Sequence, residues 1–231
     1  MGGILGSLVT HPIKPCSFTR PLPGTGATVL TESGQEAKLG EVGELVMRCP
    51  PLGMTQGLWH DDARYIDSYW SRFPGVWHHG DFAMHDEDGF YYVLGRSDDT
   101  MNVAGKRTGP SEIEALILSC NDVKEAAAVG IDDPIKGTAI ICVCVPVDDT
   151  IPTEQIADEV GAAIINGLGA PFKPKNIVFC ADLPKTRNMK VMRRIVRALY
   201  RGEDLGDLSA MVNPDSIDAL RRSLARAGVI G

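Results

Sequence analysis

Phe90-Tyr91-Tyr92-Val93-Leu94-Gly95-Arg96-Ser97-Asp98-Asp99-Thr100-Met101-Asn102-Val103-Ala104-Gly105-Lys106-Arg107 is where the character of the chain changes. Its first half is aromatic and β-branched and reads as a strand stopping at Gly95. Its second half packs charges, small residues and glycines into a connector. Upstream, Ala27-Thr28-Val29-Leu30-Thr31 and Glu44-Leu45-Val46-Met47-Arg48 are short β segments between turns, and residues 61–80 are rich in aromatics. Downstream, helix and strand patterns alternate. Ile113, Leu116, Ile117 and Cys120 share one helical face. Ser111 and Glu114, with Pro110 just outside, have the spacing of a capping box. Residues 126–129, 139–147 and 176–180 predict strands, and 156–165 a helix. Val191, Met192, Ile195, Val196, Leu199 and Tyr200 fill one helix face, and a last helix after Pro214 places Ile217, Leu220 and Leu224 on one side. The pattern predicts an α+β protein with a β-rich part over 1–96 and an α+β domain over 97–231.

Composition narrows the class. The 231 residues are 44% hydrophobic and 23% charged, which excludes disorder, collagen and coiled coil. A net charge of −7 makes a poor general polyanion binder, so a phosphate site must come from local clustering. No apolar run reaches the ~18 residues a membrane helix needs, and Met1 to Pro12 lacks the basic start of a secretory leader. Six cysteines without a C-x-x-C pair point to buried thiols in a cytoplasmic protein. Cys142 and Cys144 alternate with valines and so share one strand face.

Three clusters could carry chemistry. Trp77-His78-His79-Gly80-Asp81 with His85 contains metal-type ligands, but adjacent histidines point to opposite sides of a strand. Read differently, Gly80 permits a close approach and the Asp81 carboxylate accepts hydrogen bonds from a diol such as a ribose. The connector after Gly95 could offer backbone N–H groups and basic side chains to a phosphate, although it is no P-loop. Lys185 to Arg201 holds seven basic residues and no acid, a local phosphate-attracting patch. Without interleaved aromatics as stacking platforms it does not read as a nucleic-acid surface. For each cluster a plain alternative stands: a surface turn, a solvated linker, and a helix with a basic outer face.

Taken in order, these segments resemble the carboxyl-terminal part of the AMP-forming acyl-CoA synthetases, the acetyl-CoA synthetase group above all. The likeness rests on Gly80-Asp81, on Gly95-Arg96-Ser97-Asp98-Asp99 with Asn102 to Arg107, and on Pro184-Lys185-Thr186-Arg187 with Lys190 and Arg193-Arg194. It implies that residues 1–96 end a large adenylate-forming domain and that 97–231 form its mobile carboxyl-terminal domain. It also implies a reaction in which a small carboxylic acid attacks the α-phosphate of ATP and the thiol of CoA then displaces AMP. Asp81 would hold the ribose, Arg96 would lie near ribose and phosphate, and Lys190 would be catalytic at the α-phosphate. Asp98 would be the hinge, the Gly105 loop would line the CoA channel, and Arg107 would be a further cofactor-binding residue. The Mg²⁺ ligands, the phosphate-binding loop and most of the acyl pocket are expected upstream, in a missing amino-terminal part. The chain by itself is therefore expected to be inactive.

One departure concerns the catalytic loop. Where the family usually has Ser-Gly before the lysine, this chain has Asn188-Met189, which predicts a loop without a positive φ or one reshaped. Two other functions compete: a non-catalytic module that binds CoA or nucleotide, and a metal hydrolase on His78, His79, Asp81 and His85. A luciferase or peptide-synthetase relationship fits Trp59 to Gly80 and Ser97-Asp98-Asp99-Thr100 less well.

Overall fold

The computed structural model describes residues 3–148 and 150–230. The chain divides into two compact units, Met1–Asp98 and Asp99–Gly231.

In the first unit, β1 (Leu5–Gly6) and β2 (Arg20–Pro21) form a small antiparallel pair. Next come β3 (Ala27–Leu30), β4 (Gly43–Met47), α1 (Asp62–Trp70), β5 (Trp77–His85) and β6 (Tyr91–Arg96). Strands β3-β4-β5-β6 make an antiparallel sheet in sequence order. Period-2 alternation divides its apolar residues. Val29, Leu45, Met47, Trp77 and Ala83 build one core, while Leu30 and Val46 pack with Phe73 on the other side. Helix α1 is an element that the aromatic stretch concealed. Asp61 caps it by accepting from Arg64 N, and Tyr69 stacks on Trp77 with ring centroids 4.3 Å apart. Tyr65 and Tyr69 are four apart, the helical signal available in the sequence. Strand β6 also runs through Gly95 to Arg96 instead of stopping at the glycine.

The second unit begins with the hairpin β7 (Met101–Val103) and β8 (Lys106–Thr108). It continues with α2 (Pro110–Ile117), β9 (Val123–Asp133), β10 (Gly137–Pro146), α3 (Glu154–Leu168), a 3₁₀ turn (Ala170–Phe172), β11 (Asn176–Phe179), α4 (Arg193–Arg201) and α5 (Asp215–Arg226). Strand β10 is the hub. It runs antiparallel to β9, parallel to β11, and meets β7 through Gly137 and Val103. Its odd residues Ile141, Val143 and Val145 face α4 and α5, where Ile195, Leu199, Leu220 and Leu224 are buried. Its even residues Ile140, Cys142 and Cys144 face α2 and α3, through Ile113, Ile117, Val160 and Ile164. A strand covered on both faces explains the continuous apolar run. The two thiols do share a face, and burial pushes Cys142 well above the usual thiol range and Cys144 up to about 12. The mixed α+β character read from the sequence is the observed one.

Two local expectations are overturned. Helix α2 starts at Pro110 with Gly109 as its cap and no side-chain cap bond. Ser111 and Glu114 do not form a capping box, because Glu114 points inward to a tertiary partner described below. Val191 and Met192 lie before α4 and not within it, since Met192 is its N-cap.

Candidate functional site

Asp81 lies on β5 directly opposite Arg96 on β6. The glycine before it is favoured by its backbone: Gly80 adopts φ +82, and a Cβ there, 2.8 Å from Arg96 Nη2, would push the exposed guanidinium aside. The Asp81 carboxylate has His79 Nε2 3.1 Å from Oδ2 and Arg96 Nη1 3.7 Å from Oδ1. Arg96 turns its fork to Asp98, donating from Nε and Nη2 at 3.0 and 3.1 Å, and donates from Nη1 to the His79 carbonyl at 3.2 Å. The nucleotide candidates Asp81 and Arg96 and the hinge candidate Asp98 are thus neighbours within one unit. The Arg96–Asp98 pair is solvent-exposed and holds weakly. Asp81 and His79 form the polar wall of a cleft of about 290 Å³ whose other lining includes Ile4, Leu5, Phe18 and Val93.

The histidines do not gather. His78 Nε2 meets the buried Glu44 at 2.9 Å, His79 meets Asp81, and His85 Nε2 lies 3.3 Å from the Ala37 carbonyl. Among the described residues no group of three or more His, Cys, Asp or Glu is arranged to hold a metal ion, so the metal-hydrolase reading finds no geometry.

In the second unit, Lys190 sits on a tight turn. Met189 N donates to Thr186 O at 2.8 Å, Thr186 N to Lys190 O at 2.9 Å, and Lys185 bridges Val191. The base of the turn is a buried polar knot. Lys185 Nζ donates to Asp182 at 2.7 Å and Glu125 at 2.9 Å, and Asn213 Nδ2 donates to Asp182 at 2.6 Å while its Oδ1 accepts from Lys185 N. Burial opposes the charge of Asp182, yet the bonds from Lys185 and Asn213 prevail and hold its carboxyl below the usual range. Burial likewise opposes the Lys185 ammonium, which its two carboxylate partners nonetheless hold above its ordinary value.

The basic patch is therefore mostly spent inside the unit. Lys185 is buried in that knot, and Arg193 grips Glu114 in a two-point pair. Arg194 donates to the Leu205 and Asp207 carbonyls, Arg197 lies 3.7 Å from Asp99, and Arg201 pairs with Asp132 and Glu203. Of the seven, Arg187, Lys190 and Arg194 have no ion pair among the described residues; Arg194 is held by backbone carbonyls, and Arg187 and Lys190 stand exposed at the turn. The patch seen in the sequence as one basic surface is a scaffold with a two-cation tip.

Met189 has φ +59, so the expectation of a turn without positive φ is overturned. The chain keeps the left-handed position that a glycine would occupy and fills it with an exposed methionine. A left-handed non-glycine residue costs about 1–2 kcal/mol, partly offset by glycine's extra freedom in the unfolded chain. Met189→Gly is expected to stabilise the second unit by up to about 1 kcal/mol in urea denaturation, with Met189→Ala unchanged. A glycine variant less stable than the alanine variant would count against strain at this turn.

Gly105 shares a two-residue hairpin turn with Ala104, at φ +80 and +51. Its Cβ position is open, so the demand on glycine here is backbone conformation. Arg107 follows on β8, opposite Asn102. Beside this hairpin is a feature the sequence reading missed. Lys136, Lys173 and Lys175 line a cleft of about 240 Å³ that Val103 also borders. Asp133 is tied down there, and backbone N–H groups of Lys136 and Ile135 hold its carboxyl below the ordinary range. The Lys-Pro-Lys run at 173–175 was the available signal.

The chain has counterparts among known proteins. Residues 112–190 match the family model of the AMP-binding enzyme C-terminal domain. Acetyl-coenzyme A synthetase of Pyrobaculum aerophilum is 39% identical over 226 residues, 96% of this chain and 34% of that protein. 3-Hydroxypropionyl-coenzyme A synthetase of Sulfurisphaera tokodaii is 40% identical over 206 residues, 88% of this chain and 31% of that protein. The solved acetoacetyl-CoA synthetase of Streptomyces lividans superposes with a TM-score of 0.81 at 26% identity, covering 97% of this chain and 34% of that one. The chain thus spans about a third of the length of the curated relatives it matches. By sequence and by fold, the chain belongs to the AMP-forming, acetyl-CoA synthetase-like acyl-CoA synthetases and corresponds to their carboxyl-terminal region.

Proposed function

We propose that this chain supplies the carboxyl-terminal part of an enzyme that activates a short carboxylic acid with ATP and passes the acyl group to CoA. Residues 1–96 are the end of the large adenylate-forming domain in this reading, and 97–231 the mobile domain that pivots at Asp98. In the first step a substrate carboxylate oxygen attacks the α-phosphorus of ATP and pyrophosphate leaves. Negative charge grows on the α-phosphate oxygens, and Lys190 offers an ammonium there. Asp81 accepts the ribose hydroxyls, and Arg96 lies near the ribose and phosphate. In the second step the CoA thiol attacks the acyl carbon and AMP departs. The Gly105 turn and Arg107 serve the CoA side, and the three ammonium groups of Lys136, Lys173 and Lys175 suit a phosphate of CoA. The Mg²⁺ ligands are assigned outside this stretch.

The observation that carries the reading is the exposed Lys190, on a turn flanked by Lys185 and Arg193, whose charges are met by internal carboxylates. The test uses the chain and a chimera. The chain purified alone is expected to release no AMP from acetate, ATP and CoA. Grafted in place of the matching third of the Pyrobaculum aerophilum enzyme, it is expected to restore that release. A folded chimera that makes no AMP with acetate, propionate or 3-hydroxypropionate would sink the proposal.

A further inference from the structure

The arm that leads into the Lys190 turn is buried over residues 183–185, and a buried backbone needs a partner for each polar group. Leu183 N donates to its neighbour Asp182 Oδ1 at 2.9 Å. Toward the turn, Met192 N donates to Pro184 O, Thr186 N to Lys190 O and Met189 N to Thr186 O. On the other side stand Val212 and Asn213, which the proposed chemistry does not use. Val212 N donates to Lys185 O at 3.0 Å. The Asn213 side chain meets the two groups that are left. Its Nδ2 donates to Leu183 O at 2.8 Å, and to Asp182 Oδ2 at 2.6 Å, while its Oδ1 accepts from Lys185 N at 2.9 Å. That network fixes which amide atom is the oxygen, because Lys185 N only donates and Leu183 O only accepts. A donor to one residue and an acceptor from the residue two further on is what the backbone of a neighbouring strand would present. Asn213 is itself held from behind. Its carbonyl accepts from Ser216 N and Oγ in the first turn of α5, and Ile217, Leu220 and Leu224 bury that helix in the core of the unit.

We infer that Asn213 is a positioning residue for Lys190: its side-chain amide stands in for a neighbouring strand along the buried arm and so fixes the turn that carries the lysine. This rests on the catalytic role proposed for Lys190. The support runs from the core through α5 and Asn213 to the arm, and from the arm through Thr186 to Lys190. With no ion pair to hold its ammonium, the place of that charge is set by the backbone from which it grows. Without the amide, Leu183 O and Lys185 N are buried and unpaired, and the arm shifts to satisfy them. The loss falls on the step in which Lys190 meets the α-phosphate, and not on thioester formation, for which the proposed pivot has carried Lys190 away.

Native-state hydrogen exchange of the whole chain, followed by NMR, reads the clamp without any chemistry. Thr186 is the informative amide, because its own acceptor, Lys190 O, is untouched by a change at position 213. Asn213→Ala and Asn213→Leu, the second close to the original volume, should each speed exchange at Thr186 by about tenfold more than at Val143 in β10, the scale of one lost hydrogen bond. In the acetyl-CoA synthetase chimera both variants should lose about tenfold in adenylation and less than about twofold in thioester formation from supplied acyl-adenylate. Leu224→Val, which loosens α5 without touching the arm, should change neither rate. Exchange at Thr186 that only keeps pace with Val143 would overturn the inference whatever the chimera does. Equal loss in the two half-reactions, or a loss that Leu224→Val reproduces, would overturn it as well, because stability alone would then account for the effect. Full adenylation by the Asn213 variants where Lys190→Ala is impaired would also overturn it and leave the role of Lys190 standing. Full adenylation by Lys190→Ala would remove the catalytic reading of Lys190, and the positioning role with it.

Discussion

Lys190→Ala in the acetyl-CoA synthetase chimera is expected to slow formation of acyl-adenylate by about 10²–10³, the loss typical of one preorganised donor at a developing oxyanion. Thioester formation from supplied acyl-adenylate and CoA should fall by less than about tenfold, because that step occurs at the acyl carbon after the proposed pivot at Asp98 has carried Lys190 away from the phosphate. The substitution is structurally mild. Lys190 is exposed, and its backbone carries the turn through bonds to Thr186 that alanine keeps. Stability should stay within about 0.5 kcal/mol of the parent, as for other surface positions. Separate assays of the two half-reactions decide the matter, with pyrophosphate exchange for the first and thiol consumption for the second. Equal loss in both would count against the role given to Lys190. Lys190→Arg should recover only part of the rate, since a planar fork on a longer stem does not place its charge where a compact ammonium does.

How far the sequence alone could lead follows the range of the interactions. The run 139–147 disclosed β10, because a strand buried on both faces must be apolar at every position. Helices α3 and α5 were legible from their own spacing. Glu114 misled because Ser-x-x-Glu after a turn is a sound local signal, whereas the partner that claims this glutamate lies 79 residues away. The basic run 185–201 misled for the same reason. Its neutralising carboxylates, Asp99, Glu114, Glu125 and Asp132, come from other elements, and nothing within the run announces them. At Met189 the fold held a left-handed position against the preference of its residue, because the bonds of the hairpin fix the turn whatever side chain fills it. Gly80-Asp81 stood out in the sequence as a glycine before a carboxylate, while the positive φ of Gly80 and the approach of His79 to Asp81 required coordinates.

Glu114→Ala is the substitution expected to cost the second unit most stability. Glu114 sits on α2 with its side chain 10% exposed. Its Oε1 accepts from Arg193 Nε at 2.7 Å and from Ala128 N on β9 at 2.9 Å, while Oε2 accepts from Arg193 Nη2. One carboxylate thus joins α2, β9 and the first turn of α4, three residues beyond Lys190. The two-point contact with Glu114 holds the Arg193 guanidinium above even its high ordinary value. Truncation to alanine leaves a buried N–H without an acceptor and a half-buried guanidinium without its counter-ion. Breaking such a pair costs about 3–5 kcal/mol, and the partial exposure of Arg193 places the expectation near about 3. Glu114→Gln keeps an acceptor for Ala128 N and one bond to Arg193, so about 1–2 kcal/mol is expected. Urea unfolding followed by circular dichroism reads both, and a loss below about 1 kcal/mol for alanine would refute the structural weight placed on the pair. The double variant Glu114→Met with Arg193→Met separates charge from packing. If the penalty comes from stranded polar groups, removing both charges should be less harmful than Glu114→Ala, with Ala128 N the group still unsatisfied. In the chimera, the same double variant should lose adenylation more than thioester formation, because what it loosens is the start of α4 on which the Lys190 turn is mounted.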